Sequence, residues 1–268
     1  MSGEIYRPLI EDIVWSYSNL ESFHDCRYRW FLKYIKHCKP EDKFYASYGL
    51  FMHTLLEKFY RGEMSKDEML TTFLTAFSTE VLGTRPKASI VQKYIQRGID
   101  YLKSFEPFPY KTVAIEEKID FSVDDIKLTC RIDYIGEDEN GDIIVIDNKS
   151  RDLKERSTRK QPTLKDKELD SMLKQLYLYS AAIKEKYGKF PKYLCFNCFK
   201  AGVFIKEPFV EEAYNNTIDW IKNTVDEIKE TDDFYPNREF FACHYICGMS
   251  SQCCYDIQAR RAEWRKNK

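Results

Sequence analysis

The stretch Cys130-Arg131-Ile132-Asp133-Tyr134-Ile135, followed by Glu139-Asn140-Gly141 and then by Asp142-Ile143-Ile144-Val145-Ile146-Asp147-Asn148-Lys149, decides how this chain reads. An Asn-Gly pair between two runs of β-forming residues is the strongest short-range hairpin signal, so Asp133 and Asp147 fall on adjacent antiparallel strands. Residues two apart on a strand share a face. Asp147 and Lys149 therefore point the same way, and the partner strand can bring Asp133 alongside them.

The run from Ile143 to Ile146 is uninterrupted and apolar, as in a central strand buried on both faces. Charged residues at the end of such a strand need partners. A surface hairpin closed by a salt bridge is one way to supply them. A metal centre is the other: a hard divalent cation such as Mg²⁺ or Mn²⁺ neutralises the two carboxylates and holds a water beside a phosphate. Lys149 would then orient or deprotonate that water and offset charge on a phosphorane-like transition state. The spacing thus points to phosphodiester hydrolysis.

Three further stretches bear on the choice. Tyr48-Gly49-Leu50-Phe51-Met52-His53-Thr54-Leu55-Leu56-Glu57 places His53 and Glu57 on one helical face, although a histidine beside Phe51, Leu55 and Leu56 is by itself an ordinary packing residue. Glu116 stands in Val113-Ala114-Ile115-Glu116-Glu117-Lys118-Ile119, a strand preceding the hairpin. Gln175 and Tyr179 share a helix face beside an apolar stripe of Met172, Leu176, Tyr179 and Ile183 that could simply pack against a sheet.

Taken in order, these elements resemble the PD-(D/E)XK nuclease signature, and in particular its RecB/AddB-like branch, which includes the CRISPR-associated RecB-like exonucleases. Asp133 with Asp147-x-Lys149 is similar to the signature itself. Residues 49–57 resemble the branch's Gly-x-x-x-His-x-x-x-Glu helix, Glu116 its acidic strand, and Gln175 to Tyr179 its Gln-x-x-x-Tyr helix. The resemblance implies that His53, Asp133 and Asp147 bind Mg²⁺ or Mn²⁺, that Glu116 assists, that Lys149 activates water, and that Gln175 and Tyr179 support the lysine or the substrate. Two positions depart from the usual pattern: Cys130 stands where glycine is common, and Asn148 where an apolar or aromatic residue is common.

Nine cysteines in 268 residues fall well short of a disulfide scaffold, and the first residues lack the apolar run of a signal peptide. No stretch approaches the ~18 apolar residues of a membrane span. The expectation is a cytoplasmic chain with reduced thiols, in which clustered cysteines are metal ligands. Cys243, Cys247, Cys253 and Cys254 form such a cluster around Gly248. Cys26 resembles the early ligand of the family's iron–sulfur subset, in which one early and three late cysteines hold a [4Fe-4S] cluster. That implies the set Cys26, Cys243, Cys247 and Cys253, stapling the two chain ends together, with structural zinc as the alternative metal. Cys254 competes with Cys253 for one place, and Cys38 is the spare. Cys195 and Cys198 are three apart on a predicted strand, so they face opposite ways and cannot chelate together.

Hydrophobic periodicity predicts helices over 16–36, 47–62, 65–82 and 88–106, strands over 111–121, 125–136 and 142–149, and a long helix over 166–187. Strands over 192–199 and 202–207, a helix over 209–230 and a short basic helix after Cys254 follow. This order gives an α/β fold, a mixed central sheet flanked by helices with a helical N-terminal subdomain, of the restriction-endonuclease-like kind that the resemblance implies. With no linker-like tract, 1–268 reads as a single domain: a helical part over 1–106, a catalytic core over 107–208, and a helix plus cysteine cluster over 209–268.

The formal net charge of −1 does not announce a nucleic-acid binder, but charge is unevenly spread. Seven Lys or Arg lie between Lys149 and Lys165, a loop that reads as a mobile gate or substrate clamp. Arg27, Arg29, Lys33 and Lys36 interleave with Tyr28, Trp30 and Tyr34, as suits stacked bases beside phosphates. The expected function is a metal-dependent DNA nuclease, an exonuclease acting on DNA ends or single strands and stabilised by the cluster. DNA is the expected partner, with recombination, repair or helicase proteins beside it. The alternative is a nuclease-fold accessory subunit that binds DNA and cleaves weakly; intact Asp133, Asp147 and Lys149 speak against it.

Overall fold

The computed structural model describes residues 6–237 and 239–255. Five strands, β1 (Lys111–Val123), β2 (Ile126–Glu137), β3 (Ile143–Asn148), β4 (Tyr193–Cys198) and β5 (Val203–Pro208), form one sheet in the order β1-β2-β3-β4-β5. Only β3 and β4 run parallel, and the other neighbours are antiparallel. The expected mixed sheet is therefore present. Its hairpin between β2 and β3 is longer at the turn than an Asn-Gly pair alone would make it. Asp138 Oδ1 accepts the N–H groups of Asn140 and Asp142, and Gly141 takes φ +77°, which a residue with a Cβ adopts only at a cost.

Among the described residues eight α-helices surround the sheet: α1 (Arg7–Glu11), α2 (Tyr17–Asp25), α3 (Arg27–Trp30), α4 (Phe44–Tyr60), α5 (Lys66–Glu80), α6 (Ala88–Ser104), α7 (Leu164–Tyr187) and α8 (Glu211–Glu230). The crossover α7 is required because parallel strands cannot be joined by a tight turn. It starts at a Thr163/Asp166 capping box and stops at Gly188, whose φ of +76° ends the helix. One core packs α2, α7 and α8 against the sheet, with Leu20, Leu176, Ile221 and Val225 all fully buried. A second core lies among α4, α5 and α6. There Gly98 of α6 accommodates the fully buried Phe73 ring of α5, which a Cβ at that position would overlap.

The segment 16–36 departs from the single helix that periodicity predicts. Cys26 is extended (φ −164°, ψ 105°) and caps α3, its Sγ accepting the Arg29 N–H, and the chain then widens into a π-helical turn over Phe31–Ile35. Of the aromatics read there as a base-stacking surface, Trp30 is committed to the core instead. Trp30 is fully buried, donates from Nε1 to Asn19, and stacks on Phe234. Arg27 and Arg29 pair with Glu227 and Asp25. Helix α1 left no periodic signal in so short a segment. The basic helix expected after Cys254 lies largely outside the described residues.

The basic loop 150–165 is held rather than free. Leu153 is buried, Arg97 and Lys200 pair with Asp152, and Arg156 bridges Asp170 and Glu207. Asp166 accepts from the Ser157 N–H, the Ser157 hydroxyl and the Thr163 N–H, bonds that hold its carboxyl well below the usual range. A gate that swings as a whole would have to break these contacts.

Candidate active site

Strand β3 ends at the mouth of a cleft of about 430 Å³. Asp147 and Lys149 reach it from β3 and the residue beyond, Asp133 from β2, His53 from α4, and Gln175 and Tyr179 from α7. Cross-strand pairing of Tyr134 with Ile146 sets the hairpin register that brings the two aspartates together. Asp133 Oδ2 accepts the Asn148 N–H at 2.7 Å, which fixes it where the strand pairing ends. Gly49, one turn before His53, lies against the strand end, where a Cβ would make ordinary contact with Ser150 Oγ at 3.4 Å.

Gln175 organises the lysine side of the cleft. Its carbonyl accepts from Lys149 Nζ at 2.6 Å, and its amide nitrogen donates to Asp147 Oδ1 at 3.0 Å and to the Tyr179 hydroxyl at 2.5 Å. The amide is thus oriented by its neighbours, because reversing it would oppose an acceptor to a carboxylate and a donor to an ammonium. Lys149 Nζ also lies 2.7 Å from Asp147 Oδ2. That contact is an ion pair without hydrogen-bond alignment, so Oδ2, on an almost fully buried residue, is left without a hydrogen bond.

On the acidic side, ligand atoms of His53, Glu116 and Asp133 all lie within 4.8 Å of one another. His53 Nδ1 is 3.3 Å from Asp133 Oδ2, and burial lowers the imidazole below its ordinary pKa, so the neutral form faces the carboxylate. Burial and the Asp147 charge raise Asp133 to about 8, and burial and the Asp133 charge raise Glu116 to about 7. Glu116 also holds φ +50° within a strand, a backbone strain of the kind that persists where the surroundings over-determine it. Burial, then Asp147 and Asp133, lift Tyr179 well above its usual value, so the hydroxyl keeps its proton.

These observations test whether a divalent cation fits. Crowded carboxylates that retain protons near neutrality and a neutral imidazole form a donor set for a cation that accepts nitrogen as well as oxygen, with Asp147, ion-paired to Lys149, beside it rather than within it. Glu57 is turned aside to Arg61, its Oε1 accepting from Nε at 2.9 Å.

The structure also gives the departing residues a place. Asn148 Oδ1 accepts from Asn197 Nδ2 at 2.7 Å, and the same nitrogen contacts the Tyr101 hydroxyl at 2.7 Å, so Asn148 is held in a buried polar pair. Cys130 is buried and its thiol is pushed up to about 12 by burial. Sequence reasoning missed Tyr17, Glu21 and Tyr45, which line the cleft from α2 and α4. Their only local trace is a position on a half-buried helix face.

The cysteines gather in a second place. Cys26, Cys243, Cys247 and Cys253 line one cavity with Met249 and Arg29. Asn237 joins the two chain ends there: its N–H contacts Cys26 Sγ at 3.4 Å and its carbonyl the Cys243 thiol at 3.5 Å. Cys254 instead contacts the Tyr28 hydroxyl, and neither it nor Cys38 lines the cavity. Among the described residues, the sulfurs do not form a three-ligand set within 4.8 Å. Cys195 and Cys198 are buried on β4, outside that cavity. The cysteine loop also docks through polar contacts, with Lys43 Nζ donating to Ser250 Oγ at 2.8 Å and the Glu41 N–H to the Gly248 carbonyl at 2.7 Å.

No curated protein matches the chain. Among solved structures, the crystal structure of a "putative exonuclease" from Eubacterium rectale is similar over 94% of this chain and 92% of its own, with a TM-score of 0.53 and 9% identity. That likeness bears on fold alone. A second, SSO0001, covers 95% of this chain and 98% of its own at 15% identity, but its TM-score of 0.28 carries no argument. A sequence profile does: that of the PD-(D/E)XK nuclease superfamily matches residues 14–254, spanning the aspartate hairpin, the flanking helices and the cysteine loop. The chain belongs to the PD-(D/E)XK nuclease superfamily.

Proposed function

We propose that this chain is a metal-dependent deoxyribonuclease that hydrolyses phosphodiesters at DNA ends or in single strands. The observation that carries the reading is the convergence of His53, Glu116 and Asp133 within 4.8 Å beside the Asp147–Lys149–Gln175 network. His53, Asp133 and Asp147, with Glu116 assisting, would hold Mg²⁺ or Mn²⁺, which when bound supplies Lewis-acid charge for a phosphoryl oxygen and acidifies a water. The side chains do the rest. Gln175 and Asp147 fix Lys149 Nζ, which orients the attacking water and offsets charge as it builds on the phosphate. Tyr179 stays protonated and holds Gln175 in register.

The same reading assigns a [4Fe-4S] cluster to Cys26, Cys243, Cys247 and Cys253. The convergence of these four cysteines on one cavity supports a bound metal group there, with structural zinc as the alternative. A cytoplasmic protein with reduced thiols belongs to the same reading, and recombination, repair or helicase proteins are the partners such an activity would serve.

The test compares end-labelled linear DNA with covalently closed circles in Mg²⁺, Mn²⁺ and EDTA. Progressive loss of label from linear DNA alone, abolished by EDTA, is expected. Cutting of circles at an equal rate would remove the end preference, and no metal-dependent cleavage of either would remove the function. Iron and sulfide analysis of protein purified without oxygen decides the cluster, colourless protein with one zinc per chain counting against it.

A further inference from the structure

A second cavity, about 320 Å³, opens beside the cleft, and Tyr17, Ser18 and Tyr179 line both. Its remaining wall includes Lys118, Thr129 and Arg131, and no acidic residue lines it. Lys118 and Arg131 are direct cross-strand partners on β1 and β2, and both are exposed. Like charges opposite one another weaken a ladder unless an anion sits between them. Asp120 offsets Lys118 in part, at 3.3 Å between two largely exposed side chains. Arg131 makes no hydrogen bond or ion pair among the described residues, and its charge offsets that of Glu116 only at longer range.

Position along the strand says which anion. Arg131 is two residues from Asp133 on β2, about 6.6 Å, the scale of one nucleotide repeat along a strand. Resting on the nuclease reading, we propose that Lys118 and Arg131 hold the phosphate adjoining the scissile one, and so fix which linkage of a nucleic-acid strand lies over Asp133 and Asp147. Two cations converging on one phosphate would position the strand without reading its bases. The acidic cleft and the basic cavity then divide the strand between them, one linkage for chemistry and the next for register.

The experiment measures binding and turnover on the full chain. Anisotropy of a labelled single-stranded oligonucleotide in EDTA should show the Lys118→Ala/Arg131→Ala double variant binding about tenfold more weakly. The slope of log affinity against log salt should fall by about 0.7, the share of one phosphate on a single strand. Exchanging the two cations, Lys118→Arg with Arg131→Lys, should restore most of the affinity, and Lys229→Ala on α8 should change neither quantity. In cleavage assays the double variant should raise KM with kcat nearly unchanged. A neutral methylphosphonate stepped along the strand should weaken wild-type binding most at one linkage and leave the double variant unaffected there. Unaltered affinity and salt slope in the double variant, or a fall in kcat without a rise in KM, would overturn the site. If wild type cleaves nothing while the binding results hold, the nuclease reading fails and the phosphate site stands.

Discussion

Helix α2 touches two ligand-rich regions built in opposite ways. Its first turns line the acidic cleft and Cys26, just past its end, lines the cysteine cavity. The cleft rests on regular elements whose side chains are locked by one another, Gln175 alone meeting Lys149, Asp147 and Tyr179. Its carboxylates are held together against their mutual repulsion, so the protein supplies the geometry and a metal would relieve the strain. The cysteine cavity instead joins segments more than two hundred residues apart through loops, a π-helical turn over Ala242–Ile246 and a few polar contacts. There a bound group would supply much of the structure. Chemistry should therefore fail when the cleft is altered, and stability when the cavity is.

The largest expected effect is on rate. Asp147→Ala should lower DNA cleavage at least about a hundredfold, since a metal ligand, the role proposed for Asp147, is worth on the order of 3 kcal/mol or more in the transition state. Thermal unfolding of the metal-free Asp133→Asn protein should show stability kept or raised, because a buried repulsion is removed while the acceptor for the Asn148 N–H remains. A fold lost with Asp133→Asn would break the comparison from the cleft side.

How much of this was legible in the sequence follows the same divide. The Asp133/Asp147 hairpin showed itself through alternation and an Asn-Gly turn, and α4 and α7 through their apolar stripes, because those signals act over a few residues. The sequence singles out Glu116 but not its left-handed backbone, and nothing local marks Asn148 as the partner of Asn197 or Asn197 as the partner of Tyr101. The interleaved aromatics near Trp30 misled for a related reason. Their spacing suits a stacking surface as well as a core, and only the break at Cys26 and the packing of Phe234 turn Trp30 inward.

From the cavity side, Cys26→Ser should bleach protein prepared without oxygen and reduce its stability by about 2–4 kcal/mol, the scale of closing a long loop. Limited proteolysis should then release the termini first. A Cys26→Ser protein that keeps its iron, sulfide and melting temperature would show that the chain ends are joined by the polar contacts alone.

A smaller loss should follow from Gln175→Leu, which removes the acceptor of Lys149 and the donor to Asp147. A hydrogen bond to a charged group contributes about 1.5–3 kcal/mol, so kcat should fall roughly ten- to hundredfold with the metal still bound. Unchanged kcat would mean that Lys149 holds its place without α7.

The gentlest test is pH. With Glu116 and Asp133 raised to about 7 and about 8, the folded metal-free protein binds protons that the unfolded chain has already lost. Their contribution to stability is present in full below the unfolded carboxylate range, about pH 4, and is lost as pH rises through 7 to 8. A metal must displace those protons, so Mn²⁺ affinity by calorimetry should climb over that window and level off above it. Affinity that is flat between about pH 6 and 8 would show that these two carboxylates are not ligands.

The most direct test of the central claim uses one variant, Lys149→Ala, followed by Mn²⁺-dependent release of label from linear DNA. Lys149 is proposed to act on the water and phosphate rather than to hold the metal. The account predicts cleavage lowered at least about a hundredfold, at Mn²⁺ concentrations that saturate the wild-type site. Cleavage at the wild-type rate would contradict it.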